Sequence, residues 1–176
     1  MTTKVFEQIY DETHLKLYAF LYAKCPTGED AADLLQETYL EYIKADRRHG
    51  AEYIKEPIAF LTQIAKKKLA KVYGNRRIVP LSLEEEYDDG VPLADTLFDK
   101  NETEWTTLTK AQAEQIWRFL EKKGPVTLKI FTLFYRGGYK IKEIAEIMEL
   151  SESQVKNKLY RTLRELRETY AKEESI

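Results

Sequence analysis

From Gln154 to Arg164 the chain carries four basic residues, two side-chain amides and no acid. At about 100° per residue on a helix, Gln154, Asn157, Arg161 and Arg164 fall on one face, with Lys156 and Lys158 on its flanks. Amides, guanidinium groups and ammonium groups on one helix face are the donors that reach base edges and phosphates in a major groove. Acids return only beyond this stretch, at Glu165 and Glu168. A lone lysine-rich helix is more simply a solvated surface. What precedes this one changes the reading.

Ile141, Ile144, Ala145 and Met148 recur at i, i+3, i+4 and i+7, one apolar stripe of a helix. Glu149-Leu150-Ser151 interrupts it, Ser151 supplies an N-cap hydroxyl, and Val155, Leu159, Leu163, Leu166 and Tyr170 resume the stripe. Two amphipathic helices across so short a break predict a helix-turn-helix, in which the second helix docks by its N-terminal turns.

Two further faces could do chemistry. Lys66 to Arg77 holds six basic residues and no acid, ending in Arg76 and Arg77. A helix beginning at Pro57 would bury Ile58, Leu61, Ile64, Ala65, Leu69 and Val72. It would turn Gln63, Lys66 and Lys67 outward, with Phe60 and Lys71 at the edges. Lys68 falls on the wrong side of this wheel and must snorkel. Tyr53 lies just upstream, in the stretch Asp46 to Glu56 read as a loop. Cations interleaved with rings suit a single strand, whose phosphates meet charge and whose unstacked bases meet aromatics. The other face belongs to a helix from the Thr27-x-x-Asp30 cap to about Ala45. Its inner side is Ala31, Leu34, Leu35, Thr38, Tyr39 and Tyr42. Asp33, Gln36, Glu37, Leu40 and Glu41 point away, a leucine ringed by polar and acidic groups that suits a basic, partly apolar protein. A solvated helix surface accounts for this face equally well on the residues alone.

The elements that hold these faces read as helices throughout. Phe6, Tyr10, Leu17, Tyr18 and Leu21 predict a first helix closed by Cys25-Pro26-Thr27-Gly28. Residues 78–104 have Pro80, Gly90, Pro92 and runs of acid but no period, and read as a linker. A helix follows from about Glu104 to Lys122, directing Trp105, Leu108, Ile116 and Leu120 toward a core. Val126 to Tyr135 has strand propensity, yet Pro125 suits a helix start, Gly137-Gly138 a stop, and an isolated strand would lack a partner. The expectation is an all-α chain of two small helical domains, 1–77 and 105–176, joined by the acidic linker 78–104.

Net charge is only −2 over 176 residues, but its distribution is uneven. Residues 1–80 hold 13 basic and 11 acidic, residues 81–104 hold 1 and 9, and residues 105–176 hold 14 and 10. Both domains are basic and the acid lies between them. Cys25 is the sole cysteine, so there is no intrachain disulfide, and a reducing compartment is expected. The N-terminus lacks the apolar core of a signal peptide and no stretch approaches 18 apolar residues, which predicts a soluble, cytoplasmic protein without membrane insertion. His14, His49 and Cys25 show no metal-ligand spacing, the glycines form no phosphate loop, and no nucleophile has a base beside it. No catalytic site, metal or cofactor is expected.

Taken in order, these stretches resemble an extracytoplasmic-function sigma factor, the small two-domain class of bacterial initiation factors. AADLLQETYLEY (Ala31 to Tyr42) resembles the polymerase-binding signature, PIAFLTQIAKKKLAKVYGNRR (Pro57 to Arg77) the promoter-melting helix, and YKIKEIAEIMELSESQVKNKLYRTLRELR the second domain. The resemblance implies that Asp33, Gln36 and Glu37, with Leu40 among them, meet core RNA polymerase. It implies that Lys66, Lys67, Lys71 and the Tyr53 loop meet the minus-ten element of promoter DNA. Lys156, Asn157, Tyr160 and Arg161 would meet the minus-thirty-five element. The family often has Asn and Asp where this chain has Lys67 and Lys71, a Gly-Thr pair where it has Ser153-Gln154, and Trp where it has Phe60, so base preferences do not carry over. An anti-sigma protein is left open as a further partner. The rivals are a helix-turn-helix regulator that binds DNA without polymerase, which leaves the Asp33 and Lys66 faces without a role, and a helical protein-interaction module.

Overall fold

The computed structural model describes residues 2–50, 53–74 and 110–173. The described residues form α1 (Thr3–Lys24), α2 (Gly28–His49), α3 (Pro57–Tyr73), α4 (Lys110–Lys122), α5 (Pro125–Phe131), a π-helical turn Thr132–Arg136, α6 (Ile141–Met148) and α7 (Glu152–Glu173). No strand occurs among them. The linker 78–104, together with Arg76, Arg77, Trp105 and Leu108, lies outside the described residues.

The first unit packs α1, α2 and α3 around Leu17, Phe20 and Leu21, Leu34, Tyr39 and Tyr42, and Leu61, Ile64, Ala65 and Leu69. Thr27 caps α2 by accepting from the Asp30 N–H at 3.1 Å. Its hydroxyl also donates to the Asp30 carboxylate at 2.6 Å, so only the forward half of a capping box forms. Helix α2 outlasts its expected end at Ala45 and absorbs the first residues of the stretch read as loop. Arg47 and Arg48 lie in its last turn, where cations offset the negative end of the helix dipole, and Gly50 at φ 88° stops it. In α3, Val72 is exposed rather than buried. Tyr73 packs inward in its place, because the helix ends one residue later at Gly74 with φ 64°.

The second unit buries Ile116 and Leu120 of α4, Ile130 and Phe131 of α5, Leu133, Ile144 of α6, and Val155 and Leu159 of α7. Val126 to Arg136 is helical throughout, with Pro125 in the first turn, a π-helical turn over Thr132–Arg136, and an end before Gly138 at φ 63°. Thr162, which the apolar stripe of α7 passed over, is buried. The Tyr170 side chain lies outside the described residues.

The two units share α1. Ala19 and Ala23 belong to the second core, whereas Leu17, Phe20 and Leu21 belong to the first. The first helix is therefore covered on two sides, which its sequence stripe of Phe6, Tyr10, Leu17, Tyr18 and Leu21 did not foretell. Tyr10 itself is partly exposed and stacks on His14.

Candidate nucleic-acid interface

The helix-turn-helix is built by two local devices. Glu149 takes the left-handed conformation at φ 57° that ends α6. Ser151 then opens α7, accepting from the Gln154 N–H at 3.1 Å while its own N–H donates to Gln154 Oε1 at 2.7 Å. This is a full capping box, Ser-x-x-Gln. Its signature was readable in the sequence, where Gln154 was assigned only to the DNA face. The Gln154 carbonyl oxygen is thereby committed to the cap, and the side chain is half-buried.

Asn157, Arg161 and Arg164 are exposed along α7, and Lys156, Lys158 and Tyr160 are half-buried beside them. Arg161 lies 3.4 Å from Glu165, whose other oxygen takes Lys123 at 2.7 Å. The acid that returns at the end of the basic stretch thus orients one of its guanidinium groups. Val155 and Leu159 are wholly buried against α6 and its neighbours, which turns the Asn157 face outward.

In the first unit the outer face of α3 presents Gln63, Lys66, Lys67 and Lys71, all exposed. Above its N-terminal end stands a row of rings. His49 stacks on Tyr53 with centroids 4.4 Å apart, Tyr53 meets Phe60 edge-on at 6.1 Å, and Phe60 meets the buried Tyr42 at 6.1 Å. Tyr53 is 55% exposed, and its N–H donates to the Gly50 carbonyl at 3.2 Å. Sequence reasoning missed His49 as part of this row. The stack depends on α2 running on to His49 and the chain folding back through Gly50, and no periodicity signals that return.

Asp33, Gln36, Glu37 and Leu40 share the open face of α2, with Leu40 52% exposed. Glu37 is not free, since Lys68 donates to its carboxylate at 2.9 Å. That bond, and the charges of Lys68 and Lys71, hold the Glu37 carboxyl below its usual range. Lys68 resolves its awkward wheel position by reaching α2 rather than snorkelling to water.

Two helical units, one bearing basic side chains beside exposed rings and the other a helix-turn-helix, define an all-α DNA-binding protein. Comparison with family models sharpens this. The Sigma-70 region 2 model matches residues 9–77 and the Sigma-70, region 4 model matches residues 124–166, together well over half of the chain. The chain belongs to the sigma-70 family, with the pair of domains typical of extracytoplasmic-function sigma factors. It acts in transcription initiation, binding core RNA polymerase and promoter DNA and directing the polymerase to promoters. This is a family of non-catalytic transcription factors. No curated protein matched the chain. Among the described residues no helix is long and apolar enough to cross a membrane.

Proposed function

We propose a residue-level division of labour within this sigma factor, acting in the cytoplasm without catalysis of its own. Domain 1–77 binds polymerase through Asp33, Gln36, Glu37 and Leu40, and reads and melts the minus-ten element through Tyr53, Phe60, Gln63, Lys66, Lys67 and Lys71, with Arg76 and Arg77 continuing the basic run. Domain 105–176 reads the minus-thirty-five element through Asn157 and Arg161. Lys156, Lys158, Tyr160 and Arg164 bind alongside, and Gln154 contributes its amide nitrogen. Residues 78–104 join the two.

The observation that supports this most is the separation of three exposed faces by chemistry. An acidic face with a leucine lies on α2, cations beside a row of rings on α3, and cations beside an amide on α7. A protein partner, a single strand and a duplex each need one of these.

The test is co-purification of core RNA polymerase with wild type and with Asp33→Lys/Glu37→Lys. Exposed substitutions usually change stability by no more than about 0.5 kcal/mol. The Glu37–Lys68 pair is an exposed one worth about 1 kcal/mol at most, so helicity should persist. A basic polymerase surface would meet like charge, at a cost of several kcal/mol across an interface. Wild type should retain polymerase and the folded double variant should lose it. Full retention by the variant would remove the α2 face from the reading.

A further inference from the structure

The acid nearest the basic face of α7 stands where its charge opposes binding. Residues 154–164 carry no acid, and Glu165 follows at once. A carboxylate beside a row of cations repels the phosphates that those cations attract, so a surface built for attraction alone would do better without it. Helix stability does not account for it either. Arg161 and Glu165 are four residues apart with the cation first, the weaker of the two orders for such a pair. Arg161 is also 67% exposed, and water screens it.

The geometry of the carboxylate is more specific than its charge. Glu165 is 29% exposed, and its two oxygens are divided between partners: Oε2 takes the Lys123 ammonium at 2.7 Å, and Oε1 stands 3.4 Å from Nε of Arg161. Lys123 comes from the turn between α4 and α5, where its ammonium lies 5.2 Å from the centre of the Phe119 ring. One oxygen is therefore anchored from outside α7, and that fixes the direction of the other. A lone surface pair leaves two long side chains to wander among rotamers. Here a third group from another part of the chain holds the acid. Phe119, Lys123, Glu165, Glu168 and Thr169 border a cleft open to solvent, so a substitution at Glu165 has room.

The choice of Nε decides what the guanidinium can do. Arginine recognises guanine with two N–H donors directed at O6 and N7. A planar guanidinium offers such a pair at its end, from the two terminal amino groups, or at its side, from Nε and one of them. Glu165 takes the side and leaves the end. We propose that Glu165, anchored by Lys123, is the positioning residue for Arg161 and aims its terminal amino groups at one guanine of the minus-thirty-five element. The proposal rests on the assignment of Arg161 to that element. Glu165 acts through Arg161 rather than on a base. Its charge lowers affinity for every sequence while its geometry favours one, so discrimination rises from both directions. Lys123 thereby belongs to the reading apparatus without lying on α7.

The test is binding of holoenzyme, formed from the full-length chain and core RNA polymerase, to a duplex promoter library with every base at each minus-thirty-five position. Arg161→Ala should lose preference at one base pair, one that carries guanine. Glu165→Gln should cut preference at the same pair by about fivefold or more, while binding to other sequences holds or strengthens. In the Arg161→Ala background, Glu165→Gln should change that preference no further. Lys123→Met should weaken the same preference, and Lys123→Arg, which still offers the carboxylate a cation, should keep it. Chemical denaturation of the same variants separates positioning from support. A Glu165→Gln variant that weakens all sequences equally and unfolds at a lower midpoint marks a structural role and overturns the proposal. So does a Glu165→Gln variant with wild-type preference when Arg161→Ala has lost it. Preference untouched by Arg161→Ala would instead strike Arg161 as a reader, and the positioning role with it.

Discussion

Replacing Tyr53 by Ala should slow promoter melting while sparing both the fold and duplex binding. The ring is more than half exposed, touching His49 on one side and the edge of Phe60 on the other. Its loss therefore forfeits two partly solvated aromatic contacts, about 1 kcal/mol of stability. A captured base stacked on it contributes about 1–3 kcal/mol, which corresponds to roughly a 5- to 150-fold fall in the open-complex population. Phe60→Ala is a poorer probe, because Phe60 also packs on the buried Tyr42 and its removal would unsettle the ring row itself. The assay is permanganate reactivity of the melted strand and abortive RNA synthesis, on duplex promoter and on a template already mismatched at the minus-ten element. The variant holoenzyme should be deficient on duplex and close to wild type on the mismatched template. Tyr53→Phe, which keeps the ring, should behave as wild type on both. Equal loss on both templates, or a Phe variant as impaired as the Ala variant, would refute base capture by this ring.

On α7, Asn157→Ala and Arg161→Ala should each cost about 1–3 kcal/mol and change sequence preference, whereas Lys158→Ala should weaken all sequences alike and flatten the salt dependence; binding across a library of upstream elements separates these. Glu165 keeps Lys123 when Arg161 is removed, so a stability loss accompanying Arg161→Ala should be small. Ser151→Ala removes one half of the cap on α7 and should lower unfolding free energy by about 1 kcal/mol, read as a lower chemical-denaturation midpoint with an unchanged slope. Burial pushes the Cys25 thiol up to about 11 from 9.0, with the Tyr73 hydroxyl only partly offsetting it. Between those values the unfolded chain loses the proton first, so stability should be untouched below about pH 9 and decline as pH rises toward 11. Cys25→Ala should remove that part of the alkaline decline, and an unchanged alkaline profile would contradict it.

Local chemistry made much of this protein legible without coordinates. Pro57, Thr27, Ser151 and the Gly137-Gly138 pair act within a turn or two of themselves. The apolar stripes of α2, α3, α6 and α7 report which face needs cover, because a 3.6-residue period leaves few alternatives. The exposed faces followed as complements of those stripes, which is why Asn157, Lys66 and Asp33 could be named from spacing alone. Effects that depend on a second element were not readable. Lys68 looked misplaced until α2 offered Glu37, and His49 looked like loop until α2 ran on and returned Tyr53 to it. Spacing placed Gln154 on the DNA face, but only the structure shows its carbonyl turned back to the Ser151 N–H. The largest such effect concerns α1. Ala19 and Ala23 carry too little apolar area to announce a buried face, and only the approach of Gly137 and the buried Lys129 amine, more than a hundred residues away in the chain, shows that α1 belongs to two cores. Periodicity records the face a helix must bury, but the choice of what covers it depends on contacts between residues far apart in sequence, and those exist only once the chain has closed.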